Sequence, residues 1–341
     1  MKALLIAPNV GGFYQDIIDE LQRRGYETDY VWDAFDNDDP DYVHSRFYKA
    51  GQKYKDIVLE RYKHFWEERL TTGEQNKVYD LLLVIDGKCL HPHLFATLRA
   101  RNPKIRVINY LYDTTRGNYH FQINTKFFDK VVTYDMFDSQ TYGWEFMPIP
   151  WCKISHSTQT KYAFFAMGTY NPSRYSLFRL IDHVSEEHQL NSFVKLYTKK
   201  IKYFPIKYCA NLILKQKHYL PFNVYYSRFI THSFIPKDIF QKAMLESEVI
   251  VDSIDPRQDG LTARCTWALG AGKKIITNNK SIKLYDFYTP NQILVVEDDA
   301  HTEATKSLVL DFMKSTYVMP TEIRNKIDKF RMDNWLTTLL K

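Results

Sequence analysis

The stretch "YDLLLVIDGKCLHPHLFATLRARNPKIRVINYLYD", residues 79–113, decides the architecture. Its first part, 79–87, carries an unbroken apolar run from Leu81 to Ile85, as a strand buried on both faces of a parallel sheet requires. Residues 91–103 then read as a helix, and 104–113 as a second strand. Strand, helix, strand is the unit of a parallel α/β sheet.

The same grammar extends in both directions. "KALLIAP" (2–8) is another continuous apolar run. Residues 13–25 have apolar side chains at helical spacing and stop at Gly25, a good C-terminal cap. Residues 26–33 read as a strand, about 50–71 as a polar helix, and 129–135 as a further short strand. The repeat predicts a doubly wound sheet, which binds ligands beyond the C-terminal ends of its strands. That directs attention to Pro8–Gly12, Asp86–Lys88, Asp113–Arg116 and Asp135–Asp138.

The pattern breaks at "MPIPWCKISHSTQTK" (147–161), which has two prolines and a polar tail, and a domain boundary is placed there. It then restarts. Residues 162–174 form a strand and glycine loop, 175–187 a helix and 191–198 a strand. A helix over 237–246 precedes a strand at 247–254. Beyond it come a loop and helix within "DGLTARCTWALGAGKKIITNN" (259–279), the strand "KKIITN", and the strand 292–298. The expected fold is α/β, with two Rossmann-like domains facing across a cleft. The domains are set at 1–155 and 156–320, with a C-terminal helical segment, 321–341, packing back on the first.

Composition narrows the function. The chain has 341 residues, enough for two ordinary domains, with an apolar fraction of 45% and a charged fraction of 25%. The net charge of +6 permits a basic face toward phosphate or an anionic membrane without demanding nucleic acid. No arginine-rich run or RNP-like motif supports a nucleic-acid partner. Cys89, Cys152, Cys209 and Cys265 follow no disulfide or zinc spacing, which fits a reduced cytosolic chain. No window approaches a membrane span, so a soluble or peripheral protein is expected.

Several residues could carry chemistry. Asp259, Gly260, Leu261 and Thr262 lie where a loop enters a helix, whose first turn offers unpaired N–H groups to phosphate. Gly260 permits close backbone approach, Thr262 caps or donates, and Arg264 adds a guanidinium fork suited to phosphate oxygens. A surface arginine on an amphipathic helix has equal standing. "GTYNPSR" (168–174) occupies the corresponding place in another βα unit, with Gly168 ending the strand and Arg174 at the helix start. In the first domain, "APNVGG" lacks the GxGxxG spacing, leaving Asn9, Gly11 and Gly12 as a loop facing the cleft. Asp113 ends a strand where a carboxylate can act as general base, or simply cap a loop. His91 and His93 flank a proline at a helix start and read as exposed residues rather than a metal site. Finally, residues 197–229 interleave lysine with Tyr, Phe, Ile and Leu. That pattern suits contact with anionic lipid or a solvated helix on the core.

The segment "DSIDPRQDGLTARCTWALGAGKKIITNNKSIKLYDFYTPNQILVVED" (252–298) resembles the donor-binding part of bacterial capsule and lipopolysaccharide glycosyltransferases of the GT-B type. "YLYDTT", "FDKVVTYDMFDSQTYGWEFMPI" and "FFAMGTYNPSR" are similar to family segments in the same order. The resemblance implies a nucleotide-diphosphate sugar held mainly by the second domain, at Gly168, Tyr170, Arg174, Asp259, Gly260, Leu261, Thr262 and Arg264. It implies a saccharide or lipid-linked acceptor held mainly by the first domain, with Asp113 as base if the reaction inverts. No metal and no cofactor are implied, because helix dipole and basic side chains neutralise the leaving diphosphate. Where related motifs carry a ribose-binding glutamate, this sequence has Trp267, with Asp259 near the other acidic position of the pattern. A nucleotide-sugar epimerase or hydrolase, or a non-catalytic nucleotide-sugar-binding protein of an envelope assembly, stand as alternatives on the same scaffold.

Overall fold

The computed structural model describes residues 1–9, 12–33, 52–71, 77–87, 90–116, 124–152, 159–214, 220–233, 235–255, 257–297 and 302–341. They form two compact units. The first comprises Met1–Cys152, Arg257–Gly260 and Phe330–Lys341, and the second Lys153–Pro256 and Leu261–Lys329.

In the first unit, strands β1 (Lys2–Ala7), β2 (Glu27–Trp32), β3 (Leu81–Ile85), β4 (Arg106–Leu111), β5 (Lys130–Thr133) and β6 (Glu145–Phe146) make one sheet in the order β2-β1-β3-β4-β5-β6. Every pairing is parallel. All five residues of β3 are buried, which is why its sequence shows no alternation. Helices α1 (Phe13–Arg23), α2 (Gln52–Thr71), α3 (Pro92–Arg101) and α4 (Met136–Tyr142) flank it. Tyr62, Phe65, Trp66 and Leu70 of α2 are all buried at helical spacing. Phe65, Trp66 and Leu70 join Leu94, Phe95 and Leu98 of α3 over Leu4, Ile6, Leu82 and Val84. Strand order reverses between β1 and β3, so the crevice of this sheet opens beside the ends of those two strands.

The second unit has its own parallel sheet of β7 (Tyr162–Thr169), β8 (Phe193–Tyr197), β9 (Ile230–Thr231), β10 (Ser247–Asp252), β11 (Lys274–Thr277) and β12 (Ile293–Val295). Its order is β12-β11-β10-β7-β8-β9, with the reversal between β7 and β10. Its helices are α5 (Pro172–Glu187), α6 (Phe204–Ile213), α7 (Phe222–Tyr225), α8 (Lys237–Leu245), α9 (Ala263–Gly270), α10 (Glu303–Lys314) and α11 (Thr321–Asp328). Leu177, Phe178, Ile181 and Val184 of α5 pack with Val309, Leu310 and Phe312 of α10 on Phe164, Ala166, Val249 and Val251. The buried Lys274 ammonium donates to the carbonyls of Phe312 (3.0 Å) and Met313 (2.6 Å), satisfying the end of α10.

Several elements differ from the sequence expectation. Helices α4 and α10 and the short strands β6 and β9 fall where the sequence reading assigned nothing. The C-terminal segment, read as one helical stretch, is two helices, α11 and then α12 (Met332–Leu339). The break is a backbone pairing: Trp151 N–H donates to Phe330 O (3.0 Å), and Met332 N–H donates to Trp151 O (2.9 Å). Arg331 is thereby held extended, so the helix cannot run through it. Met332, Trp335, Leu336 and Leu339 of α12 are buried in the first unit, with the Trp335 ring edge-on to Tyr110 at 4.8 Å.

Candidate anion-binding site

The reversal point of the second sheet gathers four of the expected residues. Gly168 lies near the end of β7, and Asn171 then caps α5, its side chain accepting from Arg174 N–H at 2.7 Å. Pro172 fills the first helical position, where its missing N–H costs nothing. These local choices fix Arg174 in the first turn of the helix, with its side chain folded back over the strand end. A Cβ on Gly168 would come within 2.7 Å of Arg174 Cδ, so the glycine makes room for that crossing. The Arg174 guanidinium donates to the carbonyls of Thr169 and Ser253, the latter at 2.9 Å.

From the neighbouring strand comes Asp252, the last residue of β10 and nearly fully buried. Thr262 caps α9, accepting from Cys265 N–H (3.2 Å), while its hydroxyl donates to Asp252 Oδ1 at 2.7 Å. Arg264 Nη1 donates to the same oxygen at 2.7 Å. The other arm of Arg264, Nη2, hangs 3.2 Å from the place a Cβ on Gly168 would occupy, so both guanidiniums flank one glycine.

Asp252 pairs with one of these two cations, Arg264, while the Arg174 guanidinium donates to backbone carbonyls. The Arg174 pKa is pulled down to about 10, first by burial and then by the charge of Arg264, against the opposing pull of Asp252 and Asp255. The Nε–H groups of Arg174 and of Arg264 are both buried with no acceptor among the described residues. Buried donors left unmade are uncommon in folded proteins and costly to keep. Two forked donors at the reversal point, beside the start of α9, have the chemistry that pairs with phosphate oxygens.

The other expected donor residues take different places. Leu261 is fully buried and offers a ligand no surface. Tyr170 is half-buried against the core, near Tyr175 (6.2 Å between rings). Trp267 packs inward near Phe240, 8% exposed, and its indole N–H has no acceptor among the described residues. It makes up core volume.

Asp259 and Gly260 belong to the first unit. Asp259 pairs with Arg116 at 2.7 Å, and its N–H donates to Asp135 at 2.8 Å. Arg116 also forks onto both oxygens of the fully buried Asp135 (3.1 and 3.0 Å) and lies 4.5 Å over the Phe137 ring. Asp135 caps α4 as well, and Asp138 accepts from the Thr115 N–H and hydroxyl. Gly260 is glycine for packing: a Cβ there would sit 2.4 Å from the Tyr134 ring and 2.5 Å from Tyr134 O. Asp113 stands beside this network, accepting from Gln258 Nε2 at 3.2 Å, while its N–H donates to Asp86. Asp86, just beyond the end of β3, takes a left-handed φ of 62° and orients the backbone of Tyr112 and Asp113. Asn9 is exposed, Gly12 takes φ 72° at the start of α1, and Gly11 lies outside the described residues.

Known structures share the fold of this chain. Sucrose-phosphate synthase from Thermosynechococcus elongatus superposes with a TM-score of 0.57 at 10% identity, covering 100% of this chain and 96% of that one. MurG of Acinetobacter baumannii gives 0.51 at 10% identity, covering 99% of each chain. The fold is GT-B. At this identity the likeness reaches the fold and no further. No family of known sequences and no curated protein matches the chain.

In this GT-B chain the sequence reading overlooked Asp252 and the Ser253 carbonyl, which hold the two arginines in place. The only signal was a strand-terminal carboxylate. The paired histidines are accounted for locally: His91 Nδ1 accepts from His93 N–H at 3.1 Å and caps α3, and His93 meets Thr97.

Proposed function

We propose that this chain is a glycosyltransferase that moves a sugar from a nucleotide-diphosphate donor to a hydroxyl of a surface-polysaccharide or glycolipid acceptor, in the cytoplasm. One observation carries the reading: Arg174 and Arg264 lie side by side at the reversal point of the second sheet, each with an unpartnered buried Nε–H among the described residues. In the proposed reaction these guanidiniums hold the diphosphate and take up its charge as the bond from anomeric carbon to phosphate oxygen breaks. No metal is then needed to neutralise the leaving group. For an inverting transfer, the acceptor oxygen bonds to the anomeric carbon and Asp113 receives its proton. Gln258 and the Asp86-oriented backbone fix that carboxylate.

The test combines binding and turnover. A panel of nucleotide sugars is screened by thermal shift, and the binder is titrated by calorimetry into wild type, Arg264→Ala and Asp113→Asn. Donor affinity lost in Arg264→Ala but kept in Asp113→Asn, with transfer lost in both, supports the assignment. Unchanged donor binding by Arg264→Ala sinks the phosphate site. Donor turnover without any acceptor points instead to an epimerase or hydrolase.

A further inference from the structure

The second unit carries a surface that donor chemistry does not use. Residues 188–237 contain eight lysines and one arginine and no aspartate or glutamate, although the whole chain is only +6. Within this span α6, "FPIKYCANLI", has one charged residue and one fully buried side chain, Phe204. Ile206 is 70% exposed, Ile213 79%, Leu214 67% and Tyr203 75%. Ile206, Ala210 and Ile213 are spaced to lie along one helical face. No soluble helix gains from presenting that face to water.

The helix is held outward by a built anchor. Phe204 stacks on Tyr225 with centroids 3.8 Å apart, and Phe222 packs against Tyr208 (5.5 Å) and Tyr226 (4.7 Å). Phe222 and Tyr226 are themselves exposed and extend the apolar face onto α7. Tyr203, at the start of α6, takes a left-handed φ of 57°, a conformation that a bulky residue rarely adopts. Lys199, Lys200 and Lys202 lead into this helix and Lys207 lies on it, all exposed and none with an ion-pair partner among the described residues.

We propose that α6 and α7 seat the protein on an anionic lipid surface. Ile206, Ile213 and Leu214 enter the boundary between headgroups and acyl chains, Tyr203 and Tyr226 lie at headgroup level, and the lysines meet lipid phosphates. Charge selects this occupant. A second copy of the same face would bring like-charged lysines together, and a nucleic acid would leave the isoleucines unmatched. No helix among the described residues is long and apolar enough to cross a membrane, so attachment of this kind is peripheral. The inference stands apart from the proposed transfer and can fail without it.

Co-sedimentation with phosphatidylcholine vesicles, with and without phosphatidylglycerol, tests it. Wild type should bind the anionic vesicles only, with affinity falling as salt rises. Ile206→Glu combined with Ile213→Glu, and separately Lys199→Glu combined with Lys200→Glu, should each weaken binding at least about tenfold. Circular dichroism and the nucleotide-sugar thermal shift should be unchanged, since these side chains are exposed and lie outside the arginine pair. Three results would overturn the assignment: no vesicle binding by wild type, undiminished binding by both variants, or a wild-type dimer that the isoleucine variant dissociates.

Discussion

Replacing Arg174 by methionine separates the cost of holding two cations together from their use in binding. Burial and Arg264 lower the Arg174 pKa from the ordinary arginine range to about 10, which disfavours the charged folded state by about 3 kcal/mol. Because the folded value lies below the unfolded one, that penalty is present in full below about pH 10 and is relieved as pH rises through the interval above it. Methionine removes the penalty but also the donors to the Thr169 and Ser253 carbonyls, each charge-assisted bond worth roughly 1.5–3 kcal/mol. The two effects oppose, so the ligand-free variant should melt within a few degrees of wild type. Ligand response should not survive so well. A nucleoside diphosphate at about 100 times its Kd stabilises wild type by about 2.7 kcal/mol, or roughly 5–10 °C for a unit of this size. Losing one fork of the clamp should weaken affinity about 10–100-fold and cut that shift by roughly half or more. Thermal melts near neutral pH with UDP, GDP and pyrophosphate measure both quantities. A wild-type diphosphate shift that is undiminished in Arg174→Met would refute the reasoning.

Three further substitutions probe separate links. Gly168→Ala places a Cβ 2.7 Å from Arg174 Cδ, so the arginine must move; calorimetry should show weaker diphosphate binding, with stability lowered by only about 1 kcal/mol. Gly260→Ala meets Tyr134 O at 2.5 Å, a backbone atom that cannot swing aside, and should cost about 2 kcal/mol or more in urea unfolding. A neutral result there would show that the 257–260 segment is loosely held. Asp135→Asn removes the buried charge facing Arg116 and should lower stability by about 2–4 kcal/mol, with faster hydrogen exchange at the Asp259 amide.

Much of the fold was legible because parallel strands buried on both faces announce themselves as unbroken apolar runs. β3 is the plainest case, and the run at Leu81–Ile85 coincides with it. Caps such as Asn171 and Thr262 are equally local, since each acts on the N–H three residues on. The division between α11 and α12 was not legible, because the residue that breaks the helix, Trp151, lies far away in the chain. The packing at Gly260 was hidden for a similar reason: only the structure shows Tyr134, distant in the chain, within 2.5 Å of where a Cβ would stand.

By itself, then, the sequence determined the alternation of strands and helices and the presence of an arginine in the first turn of each of two helices. Periodicity and capping are properties of neighbouring residues. Only the tertiary structure decided that Arg174 and Arg264 share one glycine and lean on Asp252 and the Ser253 carbonyl. Strand order set this, by laying β7 directly beside β10 although β8, β9 and four helices separate them in the chain.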